Sequence, residues 1–393
     1  MKDQIKKRKF IVLNILILLT FTYPLILNGQ EKNNPITTTV PFLLIAPDAR
    51  SGAMGDAGVS SSPDVFSQHW NPAKYPFSDN DMGFSVSYNP WLKKLVNDIS
   101  LSYITGYKKF NENQVLSASI LYFTLGGITF TDEYGTTIGD FKPNEFALDL
   151  AYSRLLSDDL SAGITGRFIN SNLTQGQYVG TTATKPGRTG AADASVYYHK
   201  KINISKQKVA TFAAGLNISN IGAKISYTES KTKRDFIPTN LRIGPSITFD
   251  IDQYNSLAFM IDFNKLLVPT PPIYDTSGAI IKGKSPDVAV VSGIFQSFSD
   301  APYGFKEELQ EIMYSFGAEY WYNKQFALRG GYFLENKYKG NRKYFTIGAG
   351  LKYNVFGLNF AYLIPVEQRN PLENTLRFSL LLDFEGVKKQ VKK

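Results

Sequence analysis

The feature that most limits what this chain can become is a two-residue alternation of apolar and polar side chains that returns many times between Met82 and Phe384. In Phe146–Tyr152, one face carries Phe146, Leu148, Leu150 and Tyr152 and the other Ala147, Asp149 and Ala151. Leu160–Phe168 repeats this, with Leu160, Ala162, Ile164, Gly166 and Phe168 against Ser161, Gly163, Thr165 and Arg167. Tyr344–Val355, Leu376–Phe384 and Ile99–Tyr107 follow the same rule. Successive side chains of a strand point to opposite faces, so each stretch reads as a strand with one apolar side. One such stretch is a weak sign, and a long series of them is the signature of a membrane-spanning β-barrel. The series comprises 82–88, 98–108, 114–125, 145–155, 160–173, 190–200, 208–219, 240–251, 256–267, 312–322, 326–336, 343–354, 357–364 and 374–384, fourteen in all. An even count is what a closed single-chain bacterial barrel requires.

The connections supply an independent test. Those after even-numbered strands are short: Lys109–Asn113, Leu156–Asp159, Lys201–Gln207, Asp252–Asn255, Asn323–Gln325 and Val355–Phe356. Those after odd-numbered strands are mostly longer: Gly126–Asn144, Thr174–Thr189, Asn220–Thr239 and, longest, Val268–Glu311. Outer-membrane barrels have short periplasmic turns and long outer loops. This rhythm predicts a cell outer-membrane protein with both termini in the periplasm, and a soluble sandwich would not produce it. Aromatic residues near the strand ends, such as Tyr88 and Trp91, Tyr103 and Tyr107, Trp321 and Tyr322, and Tyr353 and Phe356, suit interface girdles.

A mean hydropathy of -0.18 excludes several membrane helices and suits strands with one wet face. At the start, Lys6–Lys9 followed by the apolar run Phe10–Leu27 reads as a secretory leader, with Asn28-Gly29 before a cut at Gln30. The rival reading is an uncleaved anchor. The resulting division is a signal peptide at 1–29, a plug segment at 30–80, a barrel at 81–385 with the long outer loop 268–311, and a basic periplasmic tail at 386–393. The fold class is therefore all-β: a 14-stranded antiparallel transmembrane barrel with an N-terminal luminal plug.

The plug reading comes from Phe42–Tyr75, FLLIAPDARSGAMGDAGVSSSPDVFSQHWNPAKY. It is too polar and too broken to cross a membrane. Its small residues allow tight turns and close approach, and Pro72 pushes Asn71 towards an extended or turn shape. Asp48, Arg50 and Asn71 are expected to hold it by polar contacts inside the barrel, with Pro72 setting the turn. The loop 268–311 is too long to be structureless. Its proline-rich opening through Pro271 and Pro272 should project Ile273 and Tyr274 outward. Pro286 reads as a helix start, with Val288, Val291, Phe295 and Phe298 at helical spacing, and Phe305–Ile312 reads as a second helix. The apolar face so formed must pack on the barrel mouth or on a partner.

Signs of catalysis are missing. No cysteine is present, and the only histidines, His69 and His199, have no metal-ligand partner at useful spacing. There is no phosphate-binding or dinucleotide fingerprint, so no enzyme, metal or cofactor is expected. Part of the net charge of +9 sits in the leader, where Lys2, Lys6, Lys7, Arg8 and Lys9 stand against Asp3, so no nucleic-acid partner is expected either.

Taken together, Phe42–Ile45, Asp48-Ala49-Arg50, Ala53-Met54-Gly55-Asp56-Ala57, Asn71-Pro72-Ala73 and Tyr88-Asn89-Pro90-Trp91-Leu92 resemble the FadL superfamily. Within it, they are most similar to the PorV-type components of the type IX secretion system of Bacteroidetes. The resemblance implies a protein that binds cargo bearing the type IX C-terminal signal domain. It would receive that cargo beside the large outer-membrane translocon barrel and shuttle it to a sortase-like PorU attachment complex on the cell surface. Contact with outer-membrane lipid and lipopolysaccharide is implied too. The superfamily's ordinary work, diffusion of hydrophobic small molecules through a plugged barrel, is the alternative. Residues of the loop, Pro271, Pro272, Ile273, Tyr274, Phe295 and Phe298, are the expected cargo or translocon contacts.

Overall fold

The structure is a computed structural model that describes residues 33–92, 98–132, 134–174, 176, 178–179, 182–205, 208–228, 234–367 and 370–384. The expected leader and basic tail lie outside the described residues. The barrel strands are β1 (Met82–Pro90), β2 (Ser100–Asn111), β3 (Gln114–Thr124), β4 (Asn144–Ser157), β5 (Leu160–Asn172), β6 (Gly187–Ser205) and β7 (Lys208–Gly222). They continue with β8 (Asn240–Asp250), β9 (Asn255–Leu266), β10 (Met313–Tyr322), β11 (Phe326–Leu334), β12 (Lys343–Tyr353), β13 (Phe356–Pro365) and β14 (Leu376–Phe384). Each pairs with the next, and β14 returns to β1, with Met82 opposite Phe384 and Tyr88 opposite Phe378. The barrel wall thus has no open edge among the described residues, as a sheet facing hydrocarbon requires.

The outward faces are apolar, with Phe84, Val86, Leu148, Leu150, Ile164, Phe168, Phe345, Ile347 and Leu380 exposed. β2 departs from this pattern. Its more apolar side, Leu101, Tyr103 and Tyr107, points inward and is buried, so Tyr103 and Tyr107 do not belong to an aromatic girdle. The reason is local: Leu101 and Tyr103 pack with Val40, Phe42, Phe66 and Trp70 of the N-terminal segment. An interior lined by protein offers apolar side chains the same shelter that lipid does. Tyr322, Tyr353 and Phe356 are exposed on the outside.

One end of the barrel carries the short turns 112–113, 158–159, 251–254, 323–325 and 354–355. The other carries the long connections, three of which contain small hairpins: 128–131 with 137–141, 178–179 with 182–183, and 273–274 with 280–282. Between Asn34 and Asp81 the chain lies against the inward faces of the strands. It contains a 3-10 turn at Pro41–Leu44, short helices α1 (Ala49–Gly52) and α2 (Ser67–Trp70), and a 3-10 helix at Pro72–Phe77. Asn34 bonds to Tyr338, Pro271 and Glu307, all in long connections. Phe384, by contrast, ends at the short-turn end, opposite Met82. Asn34 and Phe384 therefore lie at opposite ends of the barrel wall. Parity counts only wall strands, and the interior segment adds a traverse.

Candidate functional site

Two regions carry the predicted residues: the interior segment and the long connection 267–312. In the first, Asp48 is fully buried and caps α1, its Oδ1 accepting from Ser51 N at 2.8 Å and its Oδ2 from Trp70 Nε1 at 2.6 Å. Arg50 forks onto Glu319 of β10, donating from Nε and Nη2 at 2.9 and 2.6 Å. Its Nη1 donates to Asp64 at 2.7 Å and to the Ser62 carbonyl at 3.0 Å. Arg329 of β11 reaches the same Glu319 at 2.6 Å, so one buried carboxylate ties the segment to two strands. A second tie joins Asp56 to Arg377 of β14 at 2.8 Å and to the Tyr344 hydroxyl of β12 at 2.5 Å. A third runs from Asp262 of β9, whose Oδ2 accepts from Gly58 N and Val59 N at 2.7 and 2.9 Å.

Asn71 bonds in three directions. Its Nδ2 donates to the carbonyls of Val59 and Val196, both at 3.0 Å, and its Oδ1 accepts from Ala73 N at 3.0 Å. It thereby caps the 3-10 helix that opens at Pro72. The Pro72 carbonyl accepts from Ser153 at 2.8 Å, and that of Ala73 accepts from Ser161. Lys74 is fully buried and donates to the Gly58 carbonyl at 2.8 Å and to Ser61 Oγ at 3.0 Å. Small residues allow the backbone to reach the wall. Gly55 has φ +66, and a Cβ on Gly331 would lie 2.1 Å from Gly55 N.

The wall partners Glu319, Arg329, Arg377 and Asp262 were not singled out from the sequence. Their signal is a charged residue at an inward position of an otherwise alternating strand, as with Glu319 between Ala318 and Tyr320. The histidines sit among rings: His69 is 4.9 Å from Trp70, and His199 is 5.0 Å from Phe77.

The connection 267–312 has a rigid base. Thr270 N donates to Asp300 Oδ2 at 3.1 Å, and Thr270 Oγ1 donates to Glu311 at 2.7 Å. Lys265 of β9 pairs with Glu308 and Glu311, and Lys339 pairs with Glu307 and Glu311 at 2.6 and 2.9 Å. Burial pushes the Asp300 carboxyl above its ordinary range, while its bond from Thr270 N opposes the shift. Pro271 accepts from Asn34 Nδ2 at 3.1 Å, and Pro272 lies against Gly283. Ile273 and Tyr274 open a hairpin in which Ile273 is half-buried and Tyr274 exposed. Above this lie α3 (Val290–Gln296) and α4 (Phe305–Gln310). α3 starts at Val290 rather than near Pro286, because Pro286–Ala289 stays irregular and Ala289 forms the N-cap. Gly293 is the one buried residue of α3, and its α-carbon faces Phe236 and Pro269. Val291 is 62% exposed, Phe295 73%, Phe298 49% and Phe305 76%. Val291, Phe295 and Phe305 thus face mainly solvent, while the Phe298 ring lies under Lys265 Nζ of β9 at 5.9 Å.

A family model described as "Type IX secretion system protein PorV" matches residues 28–273. The chain belongs to the PorV family. It is an outer-membrane protein of the type IX secretion context, and the outward apolar belt of the closed barrel agrees with that placement. No curated protein sequence matches it. Among solved structures, similarity extends to the toluene transporter TodX of Pseudomonas putida, at 12% identity and TM-score 0.47, covering 89% of this chain and 98% of that one. The toluene transporter TbuX of Ralstonia pickettii matches at 11% identity and TM-score 0.44, covering 87% and 98%. A FadL homologue of Pseudomonas aeruginosa matches at 11% and 0.42, covering 90% and 100%.

Proposed function

We propose that this PorV-family barrel binds secreted cargo through its type IX C-terminal signal domain and passes it from the translocon to the surface attachment complex. The observation that carries the reading is the set of exposed side chains Val291, Phe295 and Phe298 on a connection whose base is locked by buried ion pairs. Exposed apolar side chains on a rigid mount are the ordinary form of a protein-docking surface. Burying one large side chain of this kind contributes roughly 1.5–3 kcal/mol. Lys282, Lys284, Asp287 and Lys306 around it set orientation more than strength. The long-loop end faces the cell exterior in this reading. The segment acts as a plug, with Asp48, Arg50, Asn71 and Pro72 holding it in place. Catalysis has no part in it.

Diffusion of apolar small molecules, the alternative, has to move the interior segment aside. Met54, Phe66, Trp70 and Tyr75 are fully buried there, and the charges beside them are paired. That packing favours the docking role.

The test is excision. Thr270 and Asp300 already touch, so replacing residues 271–299 by a short Gly/Ser linker leaves the base intact. The shortened barrel should assemble, keep its heat resistance in detergent, and lose co-purification with cargo and translocon from native outer membrane. Retention of both partners with normal secretion rejects the docking role.

A further inference from the structure

Fourteen antiparallel strands are an even number of crossings, so the wall returns the chain to the end where β1 began, with Phe384 opposite Met82. The interior segment adds one more crossing, and its partners trace it. Asn34 N donates to the Tyr338 carbonyl at 2.9 Å, in the connection 335–342. Asn34 Nδ2 donates to Pro271 O at 3.1 Å and to Glu307 Oε1 at 3.0 Å, in the connection 267–312. Thr39 N and Oγ1 reach the Phe236 carbonyl at 3.0 and 3.1 Å, in the connection 223–239. All three connections belong to the long-loop end. Pro35–Thr38, between these anchors, help to line a cavity of about 350 Å³ together with Leu266, Met313 and Arg342. Further along, Val59 meets Asp262 midway along β9. Ala73 then meets Ser161 at the start of β5. Lys109, next to the short turn 112–113, finally takes the carbonyls of Pro76 and Ser78. The chain enters the lumen among the long loops and leaves it among the short turns.

We propose that residues 34–39 are displayed on the cell surface, beside the docking connection 267–312, while the carboxyl-terminal end of the barrel wall faces the periplasm. Residues 34–39 form a strap bonded to three long connections, within reach of a partner docked on the loops. The segment need not be pushed through a finished pore: closure of β1 on β14 encloses it. Which end faces outward rests on the reading under Proposed function. That the strap shares its side with the long loops does not.

The chain has no cysteine, so a single introduced thiol reports its own side of the membrane. Thr37→Cys in the strap, Thr276→Cys in the connection 267–312 and Asp158→Cys in a short turn all replace exposed residues. Intact cells are treated with a membrane-impermeant maleimide, and labelling after detergent solubilisation sets the total for each variant. Thr37→Cys and Thr276→Cys are expected to label to similar fractions on intact cells, and Asp158→Cys only after permeabilisation. Thr37→Cys behaving like Asp158→Cys overturns the inference outright. Thr37→Cys and Thr276→Cys both shielded while Asp158→Cys labels overturns surface display through the orientation instead, and takes the docking reading with it. Heat-modifiable mobility on gels confirms that each variant is folded.

Discussion

The interior segment and the connection 267–312 are both irregular, rich in glycine or proline, and inserted into an otherwise regular barrel, yet they treat their side chains in opposite ways. In the segment, large apolar residues such as Trp70, Phe66 and Met54 are fully buried, and the charges are partnered, Arg50 and Asp56 with wall residues and Asp48, Asp64 and Lys74 within the segment itself. In the connection, the charges are buried at the base, where Glu307, Glu308 and Glu311 meet Lys265 and Lys339, and the apolar residues face solvent. Irregular backbone at membrane depth survives only where protein surrounds and satisfies it. A loop in water is free of that demand and can hold apolar groups ready for a partner. The difference is one of surroundings: the segment is enclosed by the wall, and the docking proposed for the connection draws on the apolar side chains it leaves exposed.

The comparison is broken most forcefully at Arg50. Arg50→Ala leaves Glu319 with Arg329 alone and strips Asp64 of its partner. Removing one member of a buried ion pair costs about 3–5 kcal/mol. The expected result is a lower temperature for loss of the compact gel band and greater sensitivity to large antibiotics. Unchanged protease resistance and permeability would show that the segment is held by its apolar packing instead.

A smaller effect is expected at Gly331, where a Cβ would lie 2.1 Å from Gly55 N and 2.2 Å from Met54 C. Overpacking of this kind costs roughly 1–3 kcal/mol, so Gly331→Ala should loosen the segment while the fourteen wall strands persist. Circular dichroism should show full strand content together with faster proteolysis between residues 42 and 75. Wild-type proteolysis would mean that the close approach at Gly55 is not needed.

The smallest effect on stability belongs to the connection. Phe295→Ser together with Phe298→Ser should move barrel stability by no more than about 0.5 kcal/mol, as exposed positions do. A large fall in heat resistance would show that these rings pack on the barrel after all and erase the contrast between the two regions.

The strands were legible because alternation is local: each segment carries its own period, and neighbours in sequence are neighbours in the wall. Only β6 is clearly longer than its pattern, covering 187–205 rather than 190–200. That Asp48, Arg50 and Asn71 have polar partners was legible for a related reason, since enclosed polar groups must find partners. The identity of those partners was not legible. Arg50 and Glu319 lie 269 positions apart, and nothing in a local pattern selects Glu319 over another inward charge. The helix α3 was legible in its spacing but not in its start.

By itself, then, the sequence determined the number of strands, their alternation and the ends at which long and short connections fall, because those depend on residues close together in the chain. Only the tertiary structure decided which way β2 turns its apolar face, which wall residues close on the segment, and where Asn34 lies. Those depend on what fills the lumen: a side chain is inward or outward according to what it meets there, and Leu101 and Tyr103 meet Phe66 and Trp70 rather than water.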